Sequence, residues 1–323
     1  MKKLLNWKKG QKFPDSEQTV MTLGKFDGIH LGHQKLLRLA KERAEETGEK
    51  LAVFTFSNSA SAPMTPIASK LLTTEEERQW IFESRGTDYL IEAYFDETIK
   101  RMEPEQFVEA ICSDFHVTDF FIGPDFRFGY QRRGEVSLLR HLGERYGYQV
   151  HEIPKEQLYE KKISSSRIRA CIAEHRMREA EELLGHPYFV DGLVVYGQQL
   201  GRTIDIPTAN LLPAVGKLLP PNGAYLSKVE LEDGTQFYGM TNIGCRPSVS
   251  EGKHLSIETN LFDFSGNLYG KHLRVMLLDF LRNEQRFSSV EKLKEQIEQD
   301  KIEAKRRIKD GSVKKRMAGA EKK

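Results

Sequence analysis

Residues 24–33 read GKFDGIHLGH, and this stretch decides the fold of the N-terminal half. The apolar run 18–23 before it is predicted to be a short β-strand. A helix is predicted to follow from about residue 33 to residue 46, because an apolar stripe repeats at helical spacing (Leu36, Leu37, Ala40 and Ala44). A strand, a glycine-rich loop and a helix in this order indicate a ligand site at the carboxyl end of a parallel sheet.

Strands and helices continue to alternate up to residue 153. Apolar runs predict further strands at residues 50–56, 88–94, 119–122 and 149–153. A helix is predicted to begin at Thr74, with Glu77 as its capping-box partner, and another at Pro104. This order predicts a Rossmann-like, doubly wound α/β domain.

The pattern changes near residue 185, where short β-like runs separated by Gly, Pro and Asn begin. The runs lie at residues 188–195, 224–231, 236–240, 256–263 and 272–280, and they indicate a small antiparallel barrel or sandwich. A final helix is predicted from about residue 290 to residue 305, with Leu293, Ile297 and Ile302 on one face. The predicted organisation is therefore a domain at 1–184, a barrel domain at 185–310 and a basic tail at 311–323.

The composition is that of a globular protein with no marked charge. Among 323 residues, 49 are basic and 47 are acidic, a net charge of +2 that gives no sign of a nucleic-acid or membrane partner. Neither a signal peptide nor an apolar run of about 20 residues is recognisable, so the expected location is the cytoplasm. The three cysteines (Cys112, Cys171 and Cys245) form no CxxC pair, and neither a disulfide framework nor a structural metal is expected.

The residues of the 24–33 stretch are suited to binding phosphate. Gly24, Gly28 and Gly32 let the backbone approach a phosphate closely, and the following helix directs its free N–H groups to the same place. His30 and His33 can then present two imidazoles to one triphosphate and stabilise charge that develops on the α-phosphoryl oxygens.

Two further segments point to the same chemistry. Residues 163–169 read ISSSRIR, in which three hydroxyls and two guanidiniums before a helix can cradle an anion, although alone this heptamer reads as an ordinary serine cap. Residues 123–129 read GPDFRFG after a strand. Together the three segments resemble the adenylyltransferase half of the prokaryotic bifunctional riboflavin kinase/FMN adenylyltransferase (FAD synthetase) family. The family patterns GxFDGxHxGH, DFxFG and ISSSxIR are complete, and the resemblance covers residues 18 to about 305.

The resemblance implies roles for individual residues. His30 and His33 would hold the triphosphate and stabilise the transition state, and Asp27 would contact the phosphates or their magnesium. The remaining ATP and phosphate contacts would come from the two anion-binding segments (Gly24, Phe26, Gly28, Gly32, Ser165, Ser166, Arg167 and Arg169). The flavin and nucleotide pocket would be formed by one acidic and three aromatic residues (Phe56, Asp125, Phe126 and Phe128).

The C-terminal half resembles riboflavin kinase, which implies a six-stranded antiparallel barrel. Residues 201–210 read GRTIDIPTAN and end in the PTAN signature. By this resemblance Thr208 and Asn210 would bind Mg²⁺ and phosphates, Glu258 would accept the proton of the riboflavin 5′-hydroxyl, and Arg202 and Arg286 would contact nucleotide or flavin. The implied substrates are ATP, riboflavin and FMN, and the final product is FAD.

Two departures from the family pattern bear on function. The family follows its second strand with TFxPxP, whereas residues 55–63 here read TFSNSASAP, and an altered loop there would affect FMN binding. Asp205 also occupies a position that is glycine in the family. A second negative charge about 4 Å from a phosphate costs roughly 4 kcal/mol at an effective dielectric near 20, so Asp205 would weaken ATP binding in the barrel unless magnesium absorbs its charge.

Four hypotheses therefore stand. The leading one is an enzyme with two active sites, which converts riboflavin to FMN and FMN to FAD. The alternatives are a monofunctional FAD synthetase with a silent barrel, a flavin- or nucleotide-binding regulatory protein without turnover, and a nucleotidyltransferase with another acceptor. The histidine pair argues against the regulatory hypothesis, and PTAN argues against another acceptor. The sequence does not indicate an oligomeric state.

Overall fold

The computed structural model describes residues 1–14, 17–57, 70–197, 206–247 and 253–311. Within it the chain divides into two compact units, Met1–Ser165 and Ser166–Lys323. The domain boundary expected near residue 184 stays a prediction. The basic tail lies outside the described residues from 312 onward, as do Arg202, Asp205 and residues 58–62 of the altered loop.

The first unit alternates strands and helices along the chain. Its strands are β1 (Lys2–Leu5), β2 (Thr19–Leu23), β3 (Lys50–Ser57), β4 (Tyr89–Tyr94), β5 (Val117–Ile122), β6 (Gln149–Glu152) and the short hairpin β7 (Gln157–Leu158) and β8 (Lys161–Lys162). Its helices are α1 (Leu31–Thr47), α2 (Glu75–Ser84), α3 (Glu97–Lys100), α4 (Pro104–Phe115) and α5 (Val136–Tyr146).

Six parallel strands form one sheet in the order β1-β4-β3-β2-β5-β6. Alternate residues of each strand face opposite sides. Met21 and Leu23 of β2 share a hydrophobic core with residues of α4 and α5, whereas the intervening Val20 and Thr22 face the side on which α1 contacts β2, β3 and β5. The doubly wound prediction is confirmed, and the strand order reverses between β2 and β5, the place where such sheets bind ligands.

The sequence located most of these elements but not all of them. The capping box of Thr74 and Glu77 is present, and α4 begins at Pro104 as predicted. The first helix begins at Leu31, two residues earlier than expected, so His30 is its N-cap and His33 lies in its first turn. The edge strand β1 and helix α5 were not predicted.

The second unit contains a closed antiparallel barrel, which confirms the predicted six-stranded architecture. The strands, β9 (Tyr188–Val195), β10 (Ala209–Pro213), β11 (Gly223–Glu230), β12 (Gln236–Pro247), β13 (Lys253–Leu261) and β14 (His272–Asn283), close in the order β10-β13-β12-β11-β14-β9. Helix α6 (Ser165–Ala173) begins at the division between the units and α7 (Met177–Leu184) follows it. Strand β10, which begins within the PTAN signature, was not predicted.

The predicted terminal helix is α8 (Val290–Lys309), which contacts β12 and β14. Its buried residues are Asp300 and Ala304, whereas Ile302 is 63% exposed, so the expected apolar face was wrong at that position. An ion pair holds the helix against β14 instead. Asp300 accepts hydrogen bonds from Nε and Nη2 of Arg282, at 2.8–3.0 Å. No helix among the described residues is long and apolar enough to cross a membrane.

Candidate active sites

The loop between β2 and α1 has an unusual backbone. Phe26, Gly28 and Ile29 all adopt positive φ angles, of 49°, 84° and 37°. Only the glycine does so without strain, and non-glycine residues in this region are held there by their surroundings. Phe26 and Ile29 are at most 1% exposed, so burial of their side chains supplies the restraint. The loop is therefore a fixed element of the site.

His30 and His33 lie side by side at the start of α1. Their ring centroids are 3.8 Å apart and the ring planes differ by 12°. The first turn of α1 has no acidic residue and no side-chain cap hydrogen bond. Its N–H groups and positive dipole end are therefore available to an anion. Gly32 leaves room for the His30 ring, because an added Cβ would lie 3.3 Å from it.

Both histidines are neutral at pH 7. Burial lowers the pKa of His30 to about 4. Burial and the nearby His30 hold the pKa of His33 well below its usual value. The Nδ1 atoms of both rings are buried without a hydrogen-bond partner among the described residues. Each neutral ring can donate one N–H bond, so the pair can bind phosphate oxygens without bringing a cation of its own.

Protonation of His30 is expected to destabilise the fold. The unfolded chain binds this proton near pH 6.5 and the folded chain only near pH 4. The free energy of unfolding is thus highest above pH 6.5 and falls toward pH 4 by about 3 kcal/mol from this group. Urea unfolding at pH 7 and pH 4.5 should show a smaller loss for His30→Gln than for the unaltered protein. Equal losses in the two proteins would contradict the buried neutral state.

The segment before α2 holds the loop in place. Asp27 Oδ1 accepts the N–H groups of Leu72 at 2.8 Å and Thr73 at 3.3 Å. The Thr73 hydroxyl in turn accepts the N–H of Gly28 at 3.1 Å. At least one oxygen of the Asp27 carboxylate is thus engaged with backbone, a structural role that the sequence did not indicate.

A buried ion pair between α2 and β4 was also missed. Arg78 and Glu92 lie 3.2 Å apart, and their side chains are 5% and 3% exposed. Arg78 also donates to the backbone carbonyls of Lys25 and Phe56, at 3.2 Å each. The sequence feature that could have indicated this pair is Glu92 itself, a charged residue inside the apolar run of β4.

Aromatic side chains at the carboxyl end of the sheet form one row. Phe56 contacts Phe95 and Phe107, with centroids 5.4 Å and 6.4 Å apart. Phe107 contacts Phe128, which stacks on Phe126 at 5.4 Å with planes 18° apart. Three members were predicted pocket residues, whereas Phe95 and Phe107 were not identified. Phe95 is 47% exposed, so the row ends in solvent.

Lys155 and Glu156 contact three other segments of the first unit. Asp125, a predicted pocket residue, has a side chain 66% exposed and forms an ion pair with Lys155. Glu156 pairs with Lys35 of α1 at 2.5 Å, and its carbonyl accepts the N–H of Ile163 at 3.0 Å. The segment therefore joins the DFxFG residues to α1 and to the ISSS stretch.

Ser165 of the serine segment contacts the loop between β2 and α1. The Ser165 hydroxyl donates to the carbonyl of Asp27 at 2.9 Å. Ser166, Arg167 and Arg169 follow on α6 and belong to the second unit. Arg167 is engaged there with Glu179 at 3.0 Å. Of this predicted set, Ser165 belongs to the first unit and contacts residues 24–33.

In the barrel, strand register aligns Glu258 with two amides. Glu258 of β13 lies opposite Asn210 of β10 and Asn242 of β12. The three residues are partly buried, and the Ser256 hydroxyl donates to Glu258 Oε1 at 2.9 Å. Asn242 was not identified as a site residue. Arg286 is exposed, after the end of β14.

The oxygen donors of this site suit a hard cation. Among the described residues, no three His, Cys, Asp or Glu side chains cluster as metal ligands. Thr208 and Asn210, both partly buried, carry a hydroxyl and an amide oxygen at the start of β10. Magnesium prefers oxygen ligands and keeps waters and substrate phosphates as the others, so these residues fit it.

Comparison with known proteins identifies both halves. A family model described as FAD synthetase matches residues 12–167, and one described as riboflavin kinase matches residues 184–308. A bifunctional riboflavin kinase/FMN adenylyltransferase of Haemophilus influenzae is 37% identical over 282 residues, 87% of this chain and 91% of that protein. The chain belongs to the bifunctional riboflavin kinase/FMN adenylyltransferase family. The family member of Bacillus subtilis is 37% identical over 295 residues, 90% of this chain and 92% of that one.

A solved structure supports the fold of this family member. The crystal structure of a Streptococcus pneumoniae protein, described as a macrolide-efflux protein, matches with a TM-score of 0.81 and 30% identity. The match covers 92% of this chain and 96% of that one. The family resemblance inferred from the motifs is confirmed. We call the first unit the adenylyltransferase unit and the barrel of the second unit the kinase barrel.

Proposed function

We propose that this protein phosphorylates riboflavin to FMN in the kinase barrel and transfers AMP from ATP to FMN in the adenylyltransferase unit. The second reaction gives FAD and pyrophosphate. The observation that carries the proposal is the neutral His30/His33 stack at the free N-terminus of α1, on a fixed loop at the switch point of the sheet. ATP, FMN and riboflavin are the ligands, and the proposed location is the cytoplasm.

In adenylyl transfer, a terminal phosphate oxygen of FMN attacks the α-phosphorus of ATP and the bond to the β-phosphate oxygen breaks. His30 and His33 donate N–H bonds to the α-phosphoryl oxygens, on which charge accumulates in the transition state. The N–H groups of α1 bind the departing phosphates, with the Ser165 hydroxyl as a further donor. The accessible members of the aromatic row (Phe95, Phe56 and Phe126) provide apolar surface for the isoalloxazine ring, and the buried Phe107 and Phe128 support them from below.

In riboflavin phosphorylation, the 5′-hydroxyl attacks the γ-phosphorus of ATP and ADP leaves. Glu258 accepts the hydroxyl proton, and its hydrogen bond from Ser256 fixes the direction of one carboxylate oxygen. Thr208 and Asn210 would hold Mg²⁺, which neutralises phosphate charge when bound.

The test uses two incubations of purified protein with ATP and magnesium, one containing FMN and the other riboflavin, with chromatographic separation of the flavins. FAD from FMN together with FMN or FAD from riboflavin supports the proposal. FAD from FMN alone supports the monofunctional hypothesis, which Asp205 before PTAN favours. No product in either tube from folded protein refutes both and leaves the regulatory hypothesis.

Gly197→Ala is expected to disable the kinase barrel selectively. A Cβ at Gly197 would lie 2.5–2.6 Å from the side-chain amide of Asn210, so this amide must shift on the strand position that faces Glu258. Formation of FMN from riboflavin should fall by about tenfold or more, the effect of roughly 1.4 kcal/mol on a barrier, while FAD formation from FMN is unchanged.

The matched control is Gly234→Ala in the turn between β11 and β12. Gly234 has a φ of 81° and no neighbouring atom within 4 Å of an added Cβ, so this variant carries backbone strain without disturbing Asn210. It should keep kinase activity. Equal kinase loss in both variants would show that general destabilisation, and not the placement of Asn210, is responsible.

A further inference from the structure

We propose that Arg78 is a positioning residue for adenylyl transfer, one that fixes the loop carrying the histidine pair against the end of strand β3. The inference rests on the proposed function of the adenylyltransferase unit and adds a residue that none of its motifs contains. Arg78 lies on the first turns of α2, outside residues 24–33, 125–129 and 163–169.

The guanidinium of Arg78 joins three separate parts of the unit. Nη1 donates to the carbonyl of Lys25, in the loop. Nη2 donates to the carbonyl of Phe56, at the end of β3, and to Glu92 Oε1 on β4. All three distances are 3.2 Å. One rigid planar group therefore sets the spacing between the loop that joins β2 to α1 and the aromatic row. ATP and FMN are proposed to meet between these two parts.

Burial and charge explain how the guanidinium keeps its orientation. Glu92 is nearly inaccessible, so its carboxylate lies in a fixed place beside the guanidinium, and its second oxygen accepts a hydrogen bond from Nε2 of Gln79 at 3.1 Å. A buried ion pair contributes little to stability, because desolvation of the two charges offsets their attraction. The contacts with Lys25 and Phe56 are charge-assisted and directional, which suits a geometric role.

The contact with Lys25 bears on the histidine pair because of where Lys25 lies in the chain. Lys25 immediately precedes Phe26, whose positive φ begins the turn that leads to His30. The Thr55 hydroxyl also approaches the Lys25 carbonyl, at 3.4 Å, but it is a neutral donor at the limit of a hydrogen bond. A displacement of the loop by about 1 Å would misalign the donors at the reacting phosphate, a change that costs enzymes up to about 10²-fold in rate.

Lysine cannot replace this arginine. An ammonium keeps the charge opposite Glu92 but lacks the planar fork that reaches two carbonyls in fixed directions. Arg78→Lys is therefore the informative variant, since it preserves the ion pair with Glu92 but loses the paired hydrogen bonds to the Lys25 and Phe56 carbonyls. Gln79→Ala is the matched control, because Gln79 contacts the same glutamate but neither Lys25 nor Phe56.

The experiment first measures FAD formation from FMN by the unaltered protein, which tests the proposed function by itself. Arg78→Lys should then lower kcat for FAD formation by about tenfold or more, with FMN formation from riboflavin unchanged in the same preparation. Gln79→Ala should keep both rates within about twofold. Arg78→Lys with unaltered kcat for FAD formation would overturn the inference.

Two further measurements separate positioning from stability. Hydrogen exchange of the amides of residues 24–29 should accelerate in Arg78→Lys and not in Gln79→Ala, a result that can be read even if the protein makes no FAD. The double variant Arg78→Met/Glu92→Met removes both charges and is expected to regain the thermal stability lost in Arg78→Met, but not FAD formation. Recovery of FAD formation in the double variant, or unchanged exchange in Arg78→Lys, would show that Arg78 is only a structural partner of Glu92.

Discussion

His33→Ala should lower the rate of FAD formation from FMN by about 10²–10³-fold, the effect of removing one preorganised donor from a transition-state oxyanion. The imidazole of His33 stacks on His30 and packs edge-on against Phe26, with centroids 5.2 Å apart, so its direction is fixed before substrate binds. Because the ring is neutral, the loss is that of a placed N–H group and not of a positive charge. Chromatography of flavins in initial-rate assays measures it.

The control for this variant is a histidine in the same unit with no part in the site. His141 is exposed on α5, and His141→Ala should leave FAD formation unchanged. His33→Ala should also keep the rate of FMN formation from riboflavin, since the kinase barrel is a separate compact unit. A His33→Ala variant that makes FAD within threefold of the normal rate would refute the assigned role of the pair.

Glu258→Gln should lower the rate of FMN formation from riboflavin by about 10²–10⁴-fold, the usual contribution of a general base. Glutamine keeps the shape of the side chain, and its amide oxygen can still accept the Ser256 hydroxyl, so the register with Asn210 and Asn242 is retained. Only the capacity to take up a proton is removed. The assay follows FMN and FAD from riboflavin at saturating ATP.

The same variant should convert FMN to FAD at the normal rate. Glu298→Gln, on an exposed position of α8, is the matched substitution and should change neither activity. If Glu258→Gln phosphorylates riboflavin normally, the proton acceptor is a different group and the assignment of Glu258 is wrong. If FMN formation and FAD formation fall together, Glu258→Gln has destabilised the protein and the assay does not support a role as proton acceptor.

The parts of the fold that local patterns determine were predictable from the sequence. The parallel strands β2, β3 and β5 are short apolar runs, and the box of Thr74 and Glu77 defines the start of α2. The edge strand β1 was missed because its sequence, KKLL, is charged and mostly exposed, and it is a strand only through pairing with β4. Strand β10 was missed for a similar reason, since its five residues form a strand through pairing with β9 and β13 and have no clear alternating pattern.

The site was predictable where a motif is contiguous. The His30 and His33 positions follow from one stretch of ten residues, but their neutrality does not, because it depends on their burial in the folded chain. Arg78 and Glu92 are 14 residues apart in sequence, and Arg78 meets Glu92 and the Lys25 carbonyl only in the folded chain. Phe107 and Phe95 likewise join the aromatic row from elements that carry no signature of their own.

The most direct test of the account mixes two variants, each lacking one proposed site, with riboflavin, ATP and magnesium. His33→Ala alone should stop at FMN, and Glu258→Gln alone should leave riboflavin unchanged. The two together should produce FAD, since FMN released by one protein is the substrate of the other. FAD formation from riboflavin at the normal rate by either variant alone would contradict the assignment of the two reactions to these two sites.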